Sequence, residues 1–255
     1  MTSTTRRGLL LAAGILLCWV GSLVLLIPTQ PGDLTVPLIA LAVLMRTLLQ
    51  TGLFIVAHDA MHGTLWPEWA VANQRIGQAM LLLYAALPYG RCQSNHQKHH
   101  LHAGSALDPD YHREDQEGLI GWYVTFMAAY LSPLQTTLLA LLWLTIGALA
   151  TVGSAGALTN VGLYCILPTL LSSLQLFFVG TFIPHKSWGI GSDLGKMTHR
   201  PRSLDCPAWI SLLCCYHFGY HWEHHAFPNL AWHQLPEARR RIKERFKSSL
   251  PFAIL

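Results

Sequence analysis

The sequence predicts an all-α integral membrane protein with about four transmembrane helices and short interfacial or re-entrant helices between them. Three observations predict it. Of 255 residues, 52% are hydrophobic and only 12% charged, whereas soluble domains carry about 25% charged residues. The apolar residues fall in long runs, separated by polar, histidine-rich stretches. Lys and Arg are almost confined to one set of those stretches. The length suits a single domain, 1–255.

The first apolar run is 8–27, enough to cross a hydrocarbon core of ~30 Å as a helix. Arg6 and Arg7 precede it. A cleaved signal peptide has a shorter apolar region ending in small residues. This run ends in LLIPTQPGD, so an uncleaved helix is expected. The second run is 36–57, interrupted only by Arg46 and Gln50. The third is 133–152, and the fourth is 157–184 with Pro168 inside it. Two further apolar pieces, 76–89 and 119–132, are too short to span and read as interfacial or re-entrant helices.

Charge sets the expected orientation. Of 17 Lys and Arg, all but Arg46 lie at the N-terminus, in 75–113 or in 186–247. The connections 28–35 and 153–156 contain none. Four crossings put every basic segment on one face, which the positive-inside rule makes cytoplasmic. The stretch RRRIKERFK from Arg239 then reads as a tail meeting anionic lipid headgroups; no nucleic-acid partner is expected. The six cysteines include no C-x-x-C pair, and neither a disulfide frame nor a thiolate metal site is suggested.

The histidines carry the chemistry. Each cluster falls on the face that holds the basic segments. His58 and His62 are four apart at the end of the second run. His96, His99 and His100 form H-x₂-H-H, and so do His221, His224 and His225. Residues three and four apart share one side of a helix, so each cluster presents two or three imidazoles in one direction. His185, at the end of the fourth run, brings the candidates to nine. One metal takes four to six ligands, so nine suggest two metals. Imidazole suits Zn, Cu, Fe and Ni. Structural zinc is usually closed by four ligands, often with Cys, and no C-x-x-C pair accompanies these boxes. A zinc hydrolase of the H-E-x-x-H type is not encoded. Two irons with open positions would fit oxygen chemistry.

Other polar residues are candidates for supporting roles. His217 stands four before His221, and His102 follows the second box; each is a candidate extra ligand or orienting group. Carboxylates often accept the second N–H of a metal-bound imidazole, which makes Asp59 and Glu223 candidates. Asp108 and Asp110 read equally as solvated loop carboxylates. His112, His199 and His233 read as interfacial polar residues. Arg46 lies roughly 18 Å along its helix from His58. A charge at that depth is part of a site, snorkels to the interface or pairs with a backbone carbonyl. GIGSDLG at 189–195 lacks a preceding strand and a Gly-Lys-Ser, and reads as a plain loop.

The boxes resemble those of integral-membrane di-iron oxygenases, the group that includes acyl desaturases and carotenoid-modifying enzymes. Four longer stretches narrow the resemblance: FIVAHDAMHG at 54–63, NHQKHHLHAGSALDPDYH at 95–112, FFVGTFIPH at 177–185 and FGYHWEHHAFPNLAW at 218–232. They are similar to β-carotene ketolases of the bacterial and cyanobacterial type. The resemblance implies O₂-dependent oxidation of C4 of a β-ionone ring to a ketone, with two Fe(II) ions as cofactor. It also implies electrons from reduced ferredoxin and a carotenoid substrate drawn from the bilayer. It places the irons on His58, His62, His96, His99, His100, His221, His224 and His225, with His185 added on a single-histidine motif. A carotenoid 3-hydroxylase, or an acyl-lipid desaturase or hydroxylase, would carry the same boxes. A membrane metal-binding protein without catalysis should instead place its ligands along the path through the spans.

Overall fold

The computed structural model describes residues 1–30, 32–111, 114–151, 156–186 and 201–249. His112, His199 and the 189–195 glycine stretch lie outside the described residues. Four helices are long and apolar enough to cross a membrane: α1 (Ser3–Leu26), α2 (Val36–Met61), the first 18 residues of α6 (Pro133–Thr151), and α7 (Ala157–His185). These match the four expected runs. Between them lie α3 (Ala70–Ala85), α4 (Tyr89–His102) and α5 (Glu114–Tyr130). After α7 come α8 (Ala208–Cys215), α9 (His221–Ala226) and α10 (Leu235–Ser249).

α2 is the central element, packed against α1, α3 and α7. Its 26 residues reach about 39 Å at 1.5 Å per residue, longer than the hydrocarbon core, so its C-terminal turn carries His58 and His62 to the edge. α1 and α6 instead expose Leu10, Leu17, Val24, Leu134, Leu138 and Leu141. Such a surface suits lipid and not water. Side-chain bonds identify the two ends of the bundle. Asn160 donates to Ile27 O at 3.0 Å and Thr29 O at 2.8 Å, which joins the start of α7 to the end of α1. At the opposite end, the Thr2 amide at the start of α1 donates to Glu68 at 2.7 Å, just past the end of α2.

α7 is not a uniform α-helix. It widens to π-turns at Gly162–Ile166 and Phe178–Phe182, ahead of Pro168 and Pro184. A proline has no N–H to offer the carbonyl four residues back and its ring crowds that carbonyl, and a π-turn relieves the crowding. The carbonyl four before Pro168 belongs to Tyr164, and Arg46 Nε donates to it at 2.8 Å. Arg46 Nη1 also donates to Trp19 O at 2.9 Å and Ser22 Oγ at 3.0 Å. The guanidinium lies over the Trp19 ring, 5.0 Å from its centroid. Arg46 is therefore a clamp joining α1, α2 and α7 through backbone carbonyls, the last of the three roles its depth allowed. An Arg46→Leu variant should lose about 2 kcal/mol of stability, the worth of a hydrogen bond to a charged group, and still bind metal. An unchanged melting temperature in detergent would contradict the clamp.

Candidate metal centre

α2, α4, α7 and α9 each bring histidines to one end of the bundle. The two H-x₂-H-H boxes lie on helices, as their spacing requires: the first within α4, the second on α9. His62 caps α2 with helical backbone, so His58 and His62 stay on one side. His185 ends α7. Nine histidines from distant parts of the chain thus meet.

They meet as two groups. In the first, ligand nitrogens of His58, His62, His96 and His224 all lie within 4.8 Å of one another; His99, His185, His221 and His225 do the same in the second. His100 stands between them. Its Nε2 is 3.1 Å from that of His96 and 2.9 Å from that of His224, while its ring stacks on His225 at 4.2 Å. Other Nε2 pairs are equally close: His62–His96 at 2.7 Å, His185–His221 at 2.8 Å, His99–His225 at 3.1 Å and His221–His225 at 3.1 Å.

This packing fits a metal. An imidazole Nε2 carries one hydrogen or one lone pair, so it satisfies one neighbour, not two. His96, His100, His221 and His225 each have two Nε2 neighbours. Both ring nitrogens of His58 are buried without a partner. A cation inside each group answers this convergence. Protonation does not, because burial and the neighbouring imidazoles hold His96, His221 and His224 far below the ordinary histidine pKa. Burial likewise lowers His62 to about 4 and His100 to about 3. Neutral imidazole is the ligating form.

His99 differs. Burial opposes its charge, but the Asp108 hydrogen bond and the Asp110 carboxylate outweigh that and raise its pKa. His99 Nδ1 lies 2.9 Å from Asp108 Oδ1 and 3.8 Å from Asp110 Oδ2. The Gly104 and Asp110 amides also donate to Asp108, at 2.8 and 2.9 Å. With Nδ1 engaged, Nε2 is left facing its partners in the second group. His99, Asp108 and Asp110 also lie close enough to hold a cation themselves, but the Nδ1 bond makes Asp108 an orienting carboxylate. Removing it by Asp108→Ala should weaken metal binding about tenfold to hundredfold, read by competition with a chelator. Unaltered affinity would show that His99 is held by other means.

The other expected supports fall differently. Asp59 Oδ1 is 3.9 Å from His58 Nδ1, too long for a hydrogen bond, and the Asp59 carboxylate accepts the Trp232 amide at 3.2 Å. Glu223 faces away from the imidazoles; it accepts from Ser203 and from Arg239 at 2.5 Å, which ties α9 to α10. His217 does not share a helix face with His221. Tyr216 and His217 have φ of 46° and 66°, so the chain turns there and α9 starts only at His221. His217 stacks on Tyr220 and Trp232 instead, apart from both groups. His102 is exposed at the end of α4. Asp108 and Asp110, read equally as solvated carboxylates from the sequence, are buried at 5% and 7% exposure. The D-P-D spacing right after a histidine box was the available signal.

A cavity of about 230 Å³ leads to the centre from the membrane-spanning side. Its walls are apolar, from Phe54, Phe126, Leu131 and Leu176, among others. Its inner end meets His58 and His96 of the first group and His99 and His221 of the second. Gly180 lines it because there is no room for more: a Cβ there would lie 2.7 Å from Phe218, whose ring packs on His58 at 4.7 Å. At its outer end the cavity shares Thr136, Leu139, Thr169 and Leu170 with a groove between α6 and α7.

Comparison with known proteins agrees with this arrangement. The family described as "Fatty acid desaturase" matches residues 34–253. A β-carotene ketolase from one Paracoccus strain is 39% identical over 210 residues, covering 80% of this chain and 81% of that protein. A second Paracoccus β-carotene ketolase is 36% identical over 245 residues, covering 94% and 95%. A zeaxanthin 4-ketolase from Chlamydomonas reinhardtii is 36% identical over 75% of this chain, which spans 42% of that longer protein. Histidines converging from four helices, helices fit for a membrane, and a match over residues 34–253 lead to one assignment: the chain belongs to the fatty acid desaturase family.

Proposed function

We propose that this chain is a β-carotene 4-ketolase that oxidises C4 of the β-ionone ring to a ketone. The observation that carries the reading is the cavity whose inner end meets histidines of both groups. At about 230 Å³ it is smaller than the ~300 Å³ or more of pockets that enclose a whole drug-sized ligand. It suits one ring, with the polyene continuing along the α6–α7 groove. The ketolase relatives support the substrate.

The proposed cofactor is two Fe(II) ions, one held by His58, His62, His96 and His224, the other by His99, His185, His221 and His225, with His100 between them. Bound iron would supply activation of O₂ for attack on a C–H bond. The protein's part is position. C4 is allylic, so its C–H bond is weaker than that of an ordinary methylene. The apolar wall keeps the ring dry and presses it toward His58, His96, His99 and His221. One oxidation replaces a C4 hydrogen by hydroxyl. A second gives a geminal diol, which loses water to the ketone. Each round takes up one O₂, two electrons and two protons, and releases one water. Reduced ferredoxin is the proposed electron source. The products are echinenone and then canthaxanthin, with astaxanthin from zeaxanthin.

The distribution of Lys and Arg favours a cytoplasmic metal centre. Three of the arginines, Arg239, Arg240 and Arg241, pair with Glu223 and Glu237, which suits a helix lying at the headgroups. The short helices α3 and α5 are proposed to enter the interface without crossing, and the whole chain to act as one domain.

Expression in a bacterium that accumulates β-carotene tests the reading by pigment analysis. Rings in which two hydrogens are exchanged for one oxygen, with a conjugated-ketone spectrum, are the expected products. Rings that gain oxygen and lose no hydrogen would indicate a hydroxylase instead.

A further inference from the structure

Among the polar groups on the wall of the substrate cavity, one hydrogen-bonded pair includes a carboxylate, which a hydrocarbon ring does not need. Tyr130 and Asp110 both line it. The Tyr130 hydroxyl donates to Asp110 Oδ1 at 2.6 Å. Asp110 is fixed on both sides: its amide donates to Asp108 at 2.9 Å, and its carbonyl accepts Trp122 Nε1 at 2.9 Å. Orienting His99 does not require it, because Asp108 already engages His99 Nδ1. Burying a carboxyl and a phenol beside an apolar chamber is costly, and their mutual bond offsets only part of that cost, because it engages one oxygen of the carboxylate.

The pair has spare hydrogen-bonding capacity. The Tyr130 oxygen donates its hydrogen to Asp110 and keeps its lone pairs, and Asp110 Oδ2 lies 3.8 Å from His99 Nδ1, beyond hydrogen-bond distance. A ligand hydroxyl, able both to donate and to accept, complements such a pair. On a 3-hydroxylated β-ionone ring, the carbon bearing the hydroxyl is bonded directly to C4. A ring placed with C4 toward the histidines can therefore carry its C3 substituent to the wall beside His99, where Asp110 and Tyr130 stand.

We infer that Tyr130 and Asp110 form a hydroxyl-recognition subsite, through which this chain selects 3-hydroxylated rings over unsubstituted ones. The inference rests on the ketolase reading and adds a substrate preference to it. An unsubstituted ring still fits the apolar part of the cavity but leaves the pair without a ligand. Tyr130 is thus a specificity-determining residue, and Asp110 holds its hydroxyl in place.

The test is a competition. Wild type, Tyr130→Phe and Asp110→Asn are given equal amounts of zeaxanthin and β-carotene, and the ketones from each are separated and measured. In parallel, binding of each carotenoid to the iron-loaded full-length protein is followed without O₂ by quenching of tryptophan emission. Tyr130→Phe removes one oxygen atom and little volume. It should lower the ratio of zeaxanthin-derived to β-carotene-derived ketone about fivefold to tenfold, the worth of one hydrogen bond. It should lower the ratio of the two binding constants by a similar factor, and Asp110→Asn should move both ratios in the same direction. Equal losses for both carotenoids, or unmoved ratios, would overturn the subsite. A wild type that makes ketone from neither carotenoid would defeat the ketolase reading; the binding ratio would still decide for or against the pair.

Discussion

Replacing His224 with alanine is expected to abolish ketone formation, by at least about a hundredfold, because loss of a ligand should exceed the tenfold to hundredfold cost of losing only its orienting partner. His224 is 3% exposed. Its ring packs against His58 at 4.7 Å and His62 at 4.9 Å, and its Nε2 is 2.9 Å from that of His100. Glu223, its neighbour in sequence, is turned toward Arg239 and does not replace it. His221→Ala should do the same from the second group, where His221 Nε2 touches both His185 and His225. The comparison variant is His102→Ala, whose side chain is exposed at the end of α4 and should leave product yield unchanged. Pigment yield per unit of membrane protein checks all three. Substantial ketone from His224→Ala would remove the first group from the reaction.

The second large effect concerns access. Leu139 is common to the cavity and the α6–α7 groove, so Leu139→Trp should close the passage between them. Ketone formation should fall by about tenfold or more, the effect of losing ~1.4 kcal/mol or more of substrate binding in the blocked passage. Bound iron should stay at the wild-type level, because Leu139 does not touch the histidines. This separates the two halves of the account: the histidine variants lose iron and product together, whereas the access variant loses product alone. Loss of iron from Leu139→Trp would show damage to the bundle, and full activity would place the entry elsewhere.

Much of this was legible in the sequence because two periodicities are strict. Apolar runs of membrane-spanning length announced all four long helices. Histidines three and four apart announced which faces of α2, α4 and α9 would be polar. Three matters were beyond local pattern. The split into two groups interleaves the boxes: His96 goes with His58 and His224, while its helix neighbour His99 goes with His185 and His221. That depends on the rotation of α4 against α2 and α9, which no spacing encodes. The turn at Tyr216 and His217 is likewise invisible, because neither residue is a glycine and both adopt positive φ. Reading His217 onto the helix of His221 followed from a spacing that the backbone does not keep. Asp59 and Glu223 were judged by their closeness in sequence to histidines, but long-range partners claimed them: the Trp232 amide and Arg239. Asp108 took the orienting role because the chain after α4 folds back to put it on His99 Nδ1.

The most direct test of the proposed centre is metal analysis of the purified, full-length protein, with the iron read by Mössbauer spectroscopy. Two groups of four histidines predict about two irons per chain, all in nitrogen-rich sites, falling to about one or fewer in His224→Ala and in His221→Ala. A single metal per chain, or zinc in place of iron in protein that still makes ketone, would contradict the account.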